Sequence, residues 1–151
     1  MRTVPLLFLF ALAACKNEVD TSLLATDWSC SADWPGYMIS RDLDYAPDGT
    51  LTGMISIQST TGSPSVTMNF SVEGRWVLNG KTLEEKLIDQ TLMRVSRDAE
   101  NLPLTALARG TIPQMEARLA DEPWSFEVVR LTAQEMELKD LAEGKALYCT
   151  R

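Results

Sequence analysis

Apolar and polar residues alternate at a period of two through most of this chain, and that alternation constrains the fold more than any other feature. Successive side chains of a strand point to opposite faces, so such a period means one buried face and one wetted face. Val66, Met68, Phe70 and Val72 form the clearest stretch. Upstream, Ile39, Leu43 and Tyr45 alternate with polar residues, and Leu51, Ile55 and Ile57 alternate with Thr52, Ser56 and Gln58. Downstream, Trp124, Phe126 and Val128 alternate, then Met136 and Leu138, and residues 146–151 form a last strand carrying Cys149. Pro47-Asp48-Gly49, residues 60–64 and Gly144-Lys145 read as turns. Asn79-Gly80 predicts a type I′ hairpin, because both residues tolerate the positive φ it demands; the return strand is expected through Leu83 and Leu87 towards Val95. Short strands at even spacing predict an all-β, antiparallel meander that curls into a small barrel or sandwich.

Residues 98–123 break the period with Pro103, Pro113 and Pro123. Their best helical piece is 113–120, with Thr111 as cap and Gln114 three residues on, a capping-box spacing. One short helix inside a long connection is therefore expected. The 151 residues suffice for a single domain with its own core.

The N-terminus has a different character. Arg2 is followed by an apolar run from Val4 to Leu12, broken only by Pro5, and then by Ala13, Ala14 and Cys15. A basic start, a short apolar core and a small-residue cleavage site predict a secretory signal peptide, and the run is too short to span a bilayer. Leu12-Ala13-Ala14-Cys15 resembles the lipobox of bacterial lipoproteins. The resemblance implies cleavage before Cys15 and acylation of that residue, palmitate included, so that lipid anchors the protein to a membrane. Residues 1–14 are then the leader, 15–25 a polar tether and 26–151 the folded domain. Lys16, where aspartate tends to retain such proteins at the inner membrane, points to the outer membrane, facing the periplasm. An ordinary cut after Ala13 also fits, but it would leave three cysteines, Cys15, Cys30 and Cys149, in an oxidising compartment. Lipidating Cys15 leaves an even pair. Cys30 and Cys149 are then most simply a disulfide, with two buried thiols as the alternative.

Four features carry a second resemblance. Trp28-x-Cys30 opens the domain, and a strand ends in Tyr45-x-x-Asp48-Gly49. Gly74-x-Trp76-x-Leu78 precedes a tight turn and Leu83, and the chain closes with "LTAQEMELKDLAEGKALYCTR", ending in Tyr-x-x-Arg. With its Gly-x-Trp triplet mid-chain, the stretch 28–151 resembles the small lipocalin-like domains of bacterial lipoproteins. That resemblance implies an up-and-down barrel and no particular ligand.

Chemistry is harder to find. Histidine is absent, which removes the commonest general base and the commonest metal ligand. No Gly-x-Ser-x-Gly elbow and no glycine-rich phosphate loop occurs, and Asp48-Gly49 reads as a turn rather than a calcium loop. A net charge of −7 with no basic footprint argues against nucleic acid. Asp42 and Asp44 share one face of a strand while Glu84 and Glu85 point to opposite faces; scattered acids of this kind read as solvated surface, not as a facing pair of catalytic carboxylates. Trp76 and Trp124 read as core packing, whereas Trp34, followed by Pro35-Gly36, is the tryptophan expected within reach of a partner. No catalytic residue, cofactor or metal is assigned. The expected function is a membrane-anchored, non-catalytic binding module for a small apolar ligand or an envelope component. The alternative is a protein-interaction or inhibitor lipoprotein, resembling lysozyme inhibitors, that uses its acidity against a basic enzyme.

Overall fold

A computed structural model describes residues 19–61, 64–104 and 123–151. The expected leader, the expected acylation site Cys15 and the helix expected over 113–120 lie outside the described residues. The elements are α1 (Thr21–Leu24), β1 (Asp27–Trp34), β2 (Tyr37–Tyr45), β3 (Thr50–Ser59), β4 (Val66–Asn79), β5 (Thr82–Arg97), β6 (Glu100–Leu102), β7 (Trp124–Leu131), β8 (Glu135–Asp140) and β9 (Ala146–Thr150). Each strand pairs antiparallel with its neighbour in the order β1-β2-β3-β4-β5-β7-β8-β9, and β9 returns to β1. The expected meander is thus a closed eight-stranded barrel. Closure gives each of the eight strands a partner on both sides, although β5 meets β7 only over residues 82–85. The three-residue β6 folds back as an arm on the far end of β5.

The period of two sorts side chains as expected. Along β2 every second residue from Ile39 to Tyr45 is buried, and the residues between are exposed. Phe70, Val72, Phe126, Val128, Met136 and Leu138 likewise point inward. The long strands β4 and β5 curl sharply, with register shifts at Asn69/Phe70 and Glu73/Gly74. Such irregularities bend a strand and raise its twist. At Gly74 a Cβ would sit 2.5 Å from the Lys86 carbonyl oxygen, so the second bend needs glycine.

Two local readings are corrected. Asn79 is not a central turn residue: it pairs with Thr82, and Gly80 and Lys81 lie between them. Gly80 has φ +64°, and the turn carries glycine at its first central place in place of the type I′ Asn-Gly pair. The stretch read as tether, 15–25, is ordered before it ends. The Asp20 carboxylate accepts from the Ser22 amide at 2.9 Å, opening α1, and Leu24 is fully buried. An apolar side chain on that turn has a core to enter, and its burial offsets the ordering of a short polar segment.

Where first and last strands meet, the ladder is short: Ser29↔Thr150, Cys30↔Cys149 and Ser31↔Tyr148. The two cysteines are direct cross-strand partners, buried, and joined as a disulfide across 119 residues of chain. The bridge fastens a narrow seam of the cylinder.

Candidate ligand cavity

The two ends of the barrel are built from different parts of the same strands. One end, the base, gathers the start of β1, the end of β2 and the end of β9. Trp28 is buried there, and its indole Nε1 donates to the Leu24 carbonyl at 3.0 Å. The Arg151 guanidinium lies 4.9 Å from the Trp28 ring centroid and donates to the Leu23 carbonyl at 2.9 Å. Trp76, stacked edge-on against Tyr45 at 5.9 Å, donates to the Ala46 carbonyl at 2.9 Å. Large rings with their polar atoms satisfied fill this end, which is where aromatic side chains contribute most buried area.

The other end, the mouth, gathers the end of β1, the starts of β2, β4, β7 and β9, and the ends of β3 and β8. It encloses a cavity of about 830 Å³. Ile39, Ile57, Val66, Met68 and Leu147 supply aliphatic wall. Trp34 and Tyr37 meet edge-to-face at 5.7 Å on one side, and Trp124 and Phe126 at 6.4 Å on another. The Lys145 ammonium sits 4.9 Å from the Trp34 ring centroid and pairs with Glu143, whose hydrogen bond first and charge after it hold the lysine above its ordinary pKa. Asp140 and Glu143 line the cavity as well.

Arg41, which also lines this cavity, is 1% exposed. It projects inward from the middle of β2, on the same face as Ile39 and Leu43. Its Nη2 pairs with Glu85 Oε2, and the Tyr45 hydroxyl donates to Glu85 Oε1. The guanidinium carbon lies 4.9 Å from the Trp124 ring centroid and 5.3 Å from that of Phe126. Burial pulls the guanidinium down in pKa, and the Glu85 carboxylate with Tyr45 more than offsets it, so the group stays firmly charged. Burial, and then the negative charge of Glu85, push the Tyr45 phenol well above its ordinary range. Among the described residues, Arg41 Nε and Nη1 have no hydrogen-bond partner. A buried ion pair of this kind gives up a great deal of hydration, and each donor left unmet adds to that cost.

The cavity therefore combines a broad apolar wall with a few polar groups at its depth, within the size range of small-molecule sites. A smaller hollow of about 490 Å³ lies on the outer wall, lined by Met54, Met93, Asp42 and Arg94 among others.

The residues singled out in the sequence are distributed as follows. Cys30 and Cys149 come together. Trp76 is core, as read. Trp124, also read as core, is only half-buried and forms cavity wall, because β7 begins at the mouth, where the described residues leave the interior unfilled. Trp34 ends β1 at the mouth, half-buried, its Nε1 3.4 Å from the Ala146 carbonyl. Asp42 and Asp44 share the outer face, and Asp42 accepts from the Ser29 hydroxyl at 2.7 Å. Glu84 is exposed, but Glu85 is not surface: it is 1% exposed and tied to Arg41 and Tyr45. The Arg41–Glu85 pair escaped the reading of the sequence. Its signal was the parity: each charge stands where the alternation calls for an apolar residue.

Compared with protein-family models and with curated proteins, the chain matches none; its own geometry carries the reading of the site.

Proposed function

We propose that this protein is a non-catalytic binding module that takes a small, largely apolar molecule into the mouth of its barrel. We propose further that it is a bacterial envelope lipoprotein, held at the outer membrane by acylation of Cys15. The observation that carries the binding reading is the cavity of about 830 Å³ at one end of a barrel whose other end is packed solid. An interior serving only stability gains nothing from leaving such a volume unfilled, since missing contacts cost packing energy. The placement of α1 supports an orientation. Residues 21–24 pack at the base, so an anchor just upstream would set the mouth on the side facing away from the bilayer.

Native mass spectrometry of the full chain purified from a bacterial envelope tests the binding reading. The expected spectrum contains a satellite peak, heavier than the acylated chain by the mass of a small amphiphile and removed by mild organic extraction. A single bare species from every preparation would oppose it. Incorporation of labelled palmitate, lost on Cys15→Ser, is the expected result for the anchor; equal labelling of both chains would contradict it. The inhibitor reading draws on the net charge of −7, and unchanged lysozyme activity in stoichiometric excess of this protein is the expected outcome.

A further inference from the structure

The chemistry of the occupant's polar end follows from what Arg41 lacks. This inference rests on the binding reading above and adds to it. A guanidinium offers five N–H donors. In the described protein Arg41 pairs through Nη2 with Glu85 Oε2 and has the Tyr45 hydroxyl beside it, while Glu85 Oε1 is already taken by that hydroxyl. Nε and Nη1 have no partner among the described residues, although the side chain is 99% buried and lines the cavity. Trp124 and Phe126 flank the group and line the same space. A guanidinium with unmet donors thus stands in the wall of an apolar cavity.

Charge narrows the choice. Arg41 is offset by Glu85 in direct contact. Among the described residues, the remaining ionisable lining groups are Asp140 and Glu143, and Glu143 is balanced by Lys145 above Trp34. No positive charge is left over among these groups. An anionic head group would therefore enter a site of low polarity already balanced or slightly negative, and pay desolvation without a free counter-charge, while a cationic head carries no acceptor for the guanidinium. A neutral acceptor meets the donors without that penalty.

We propose that the cavity binds an uncharged amphiphile with an alkyl or ring body and a carbonyl-bearing head, an ester or amide, whose oxygen accepts from Arg41 Nε or Nη1.

The test is displacement of the neutral fluorophore N-phenyl-1-naphthylamine from the full chain by competitors of matched length: methyl dodecanoate, tridecane and, at about pH 8 where its carboxyl is ionised, dodecanoate. The ester is expected to displace the fluorophore about tenfold more strongly than the alkane, the value of roughly one hydrogen bond to a charged donor. Dodecanoate is expected to be weaker than the ester. Arg41→Lys and the charge-balanced pair Arg41→Met with Glu85→Gln, each checked for cooperative unfolding, are expected to erase the preference for the ester while still binding the fluorophore. Equal displacement by ester and alkane in the wild-type chain, a preference for dodecanoate, or displacement by neither would overturn the proposal while leaving an apolar binding module in place. Failure of the wild-type chain to bind the fluorophore at all would remove the binding reading and this inference with it. The wild-type comparison needs no variant, so a poorly folding substitution does not blunt it.

Discussion

The base and the mouth of this barrel are made from opposite ends of the same strands, under one rule of alternation, and they reach different results. At the base, Trp28, Leu24 and Tyr45 are at most 1% exposed, and a helical turn and the C-terminal Arg151 close over them. At the mouth, Trp34, Tyr37 and Trp124 are only half-buried around open space. The contrast teaches that alternation decides which way a side chain points, while the sum of side-chain volumes at each level decides whether a core or a cavity results.

The comparison can be strained hardest at the seam. The Cys30–Cys149 bridge spans 119 residues and sits in a ladder of three pairs. Replacing both cysteines by serine is expected to lower stability by about 5 kcal/mol, the chain-entropy value for a loop of that length. Denaturant titration reads this directly. A loss under about 1 kcal/mol would mean that the remaining ladder closes the barrel unaided.

The next test sets one end against the other. Trp28→Ala at the base is expected to cost about 4 kcal/mol, the usual range for a large aromatic removed from a core. Trp34→Ala at the mouth is expected to cost about 1 kcal/mol, since its ring is packed on fewer sides. Chemical unfolding of the two variants side by side checks the ratio; equal losses would erase the distinction between the ends.

A smaller effect concerns the polar group between them. Tyr45→Phe leaves Glu85 Oε1 without its donor and is expected to cost about 1–3 kcal/mol. The same residue sets an alkaline limit. Its folded-state pKa is raised above its unfolded value, first by burial, so the neutral phenol favours the fold. That contribution is intact below about pH 10, where the unfolded tyrosine begins to ionise, and is lost as pH climbs towards the folded-state value. Stability measured from about pH 8 upward should therefore fall beyond about pH 10 in the wild type and less steeply in Tyr45→Phe. Parallel curves would show that Tyr45 is not the group involved. Least of all should change with Asp44→Asn on the outer wall, expected within about 0.5 kcal/mol.

Much of this architecture is legible in the sequence, and the reasons differ by feature. The inward set Phe70, Val72, Phe126 and Leu138 follows from parity alone, because a strand has only two faces. The pairing of Cys30 with Cys149 is expected once Cys15 is set aside for acylation, with two buried thiols as the alternative, and the structure joins the two. The hairpin after β4 shifted by one residue, since a two-residue turn is set by the last closing pair, Asn79↔Thr82, and not by the Asn-Gly dipeptide. The candidate site was harder. Arg41 and Glu85 each break the apolar parity of their strands. However, β2 and β5 are not neighbours in the wall, and nothing local says that they face each other across the interior. Cavity volume is a global quantity, set by how many rings converge at one level, and no single segment records it.

The central claim is that the mouth is open and apolar, and one titration addresses it most directly. Ile57 lines the cavity from β3, half-buried, so a tryptophan there would occupy the space without touching the base. Fluorescence titration with N-phenyl-1-naphthylamine should give saturable, one-to-one binding to the wild-type chain and little or none to Ile57→Trp, with both proteins unfolding cooperatively. Absence of saturable binding to the wild type, or equal binding by the two, would contradict the account.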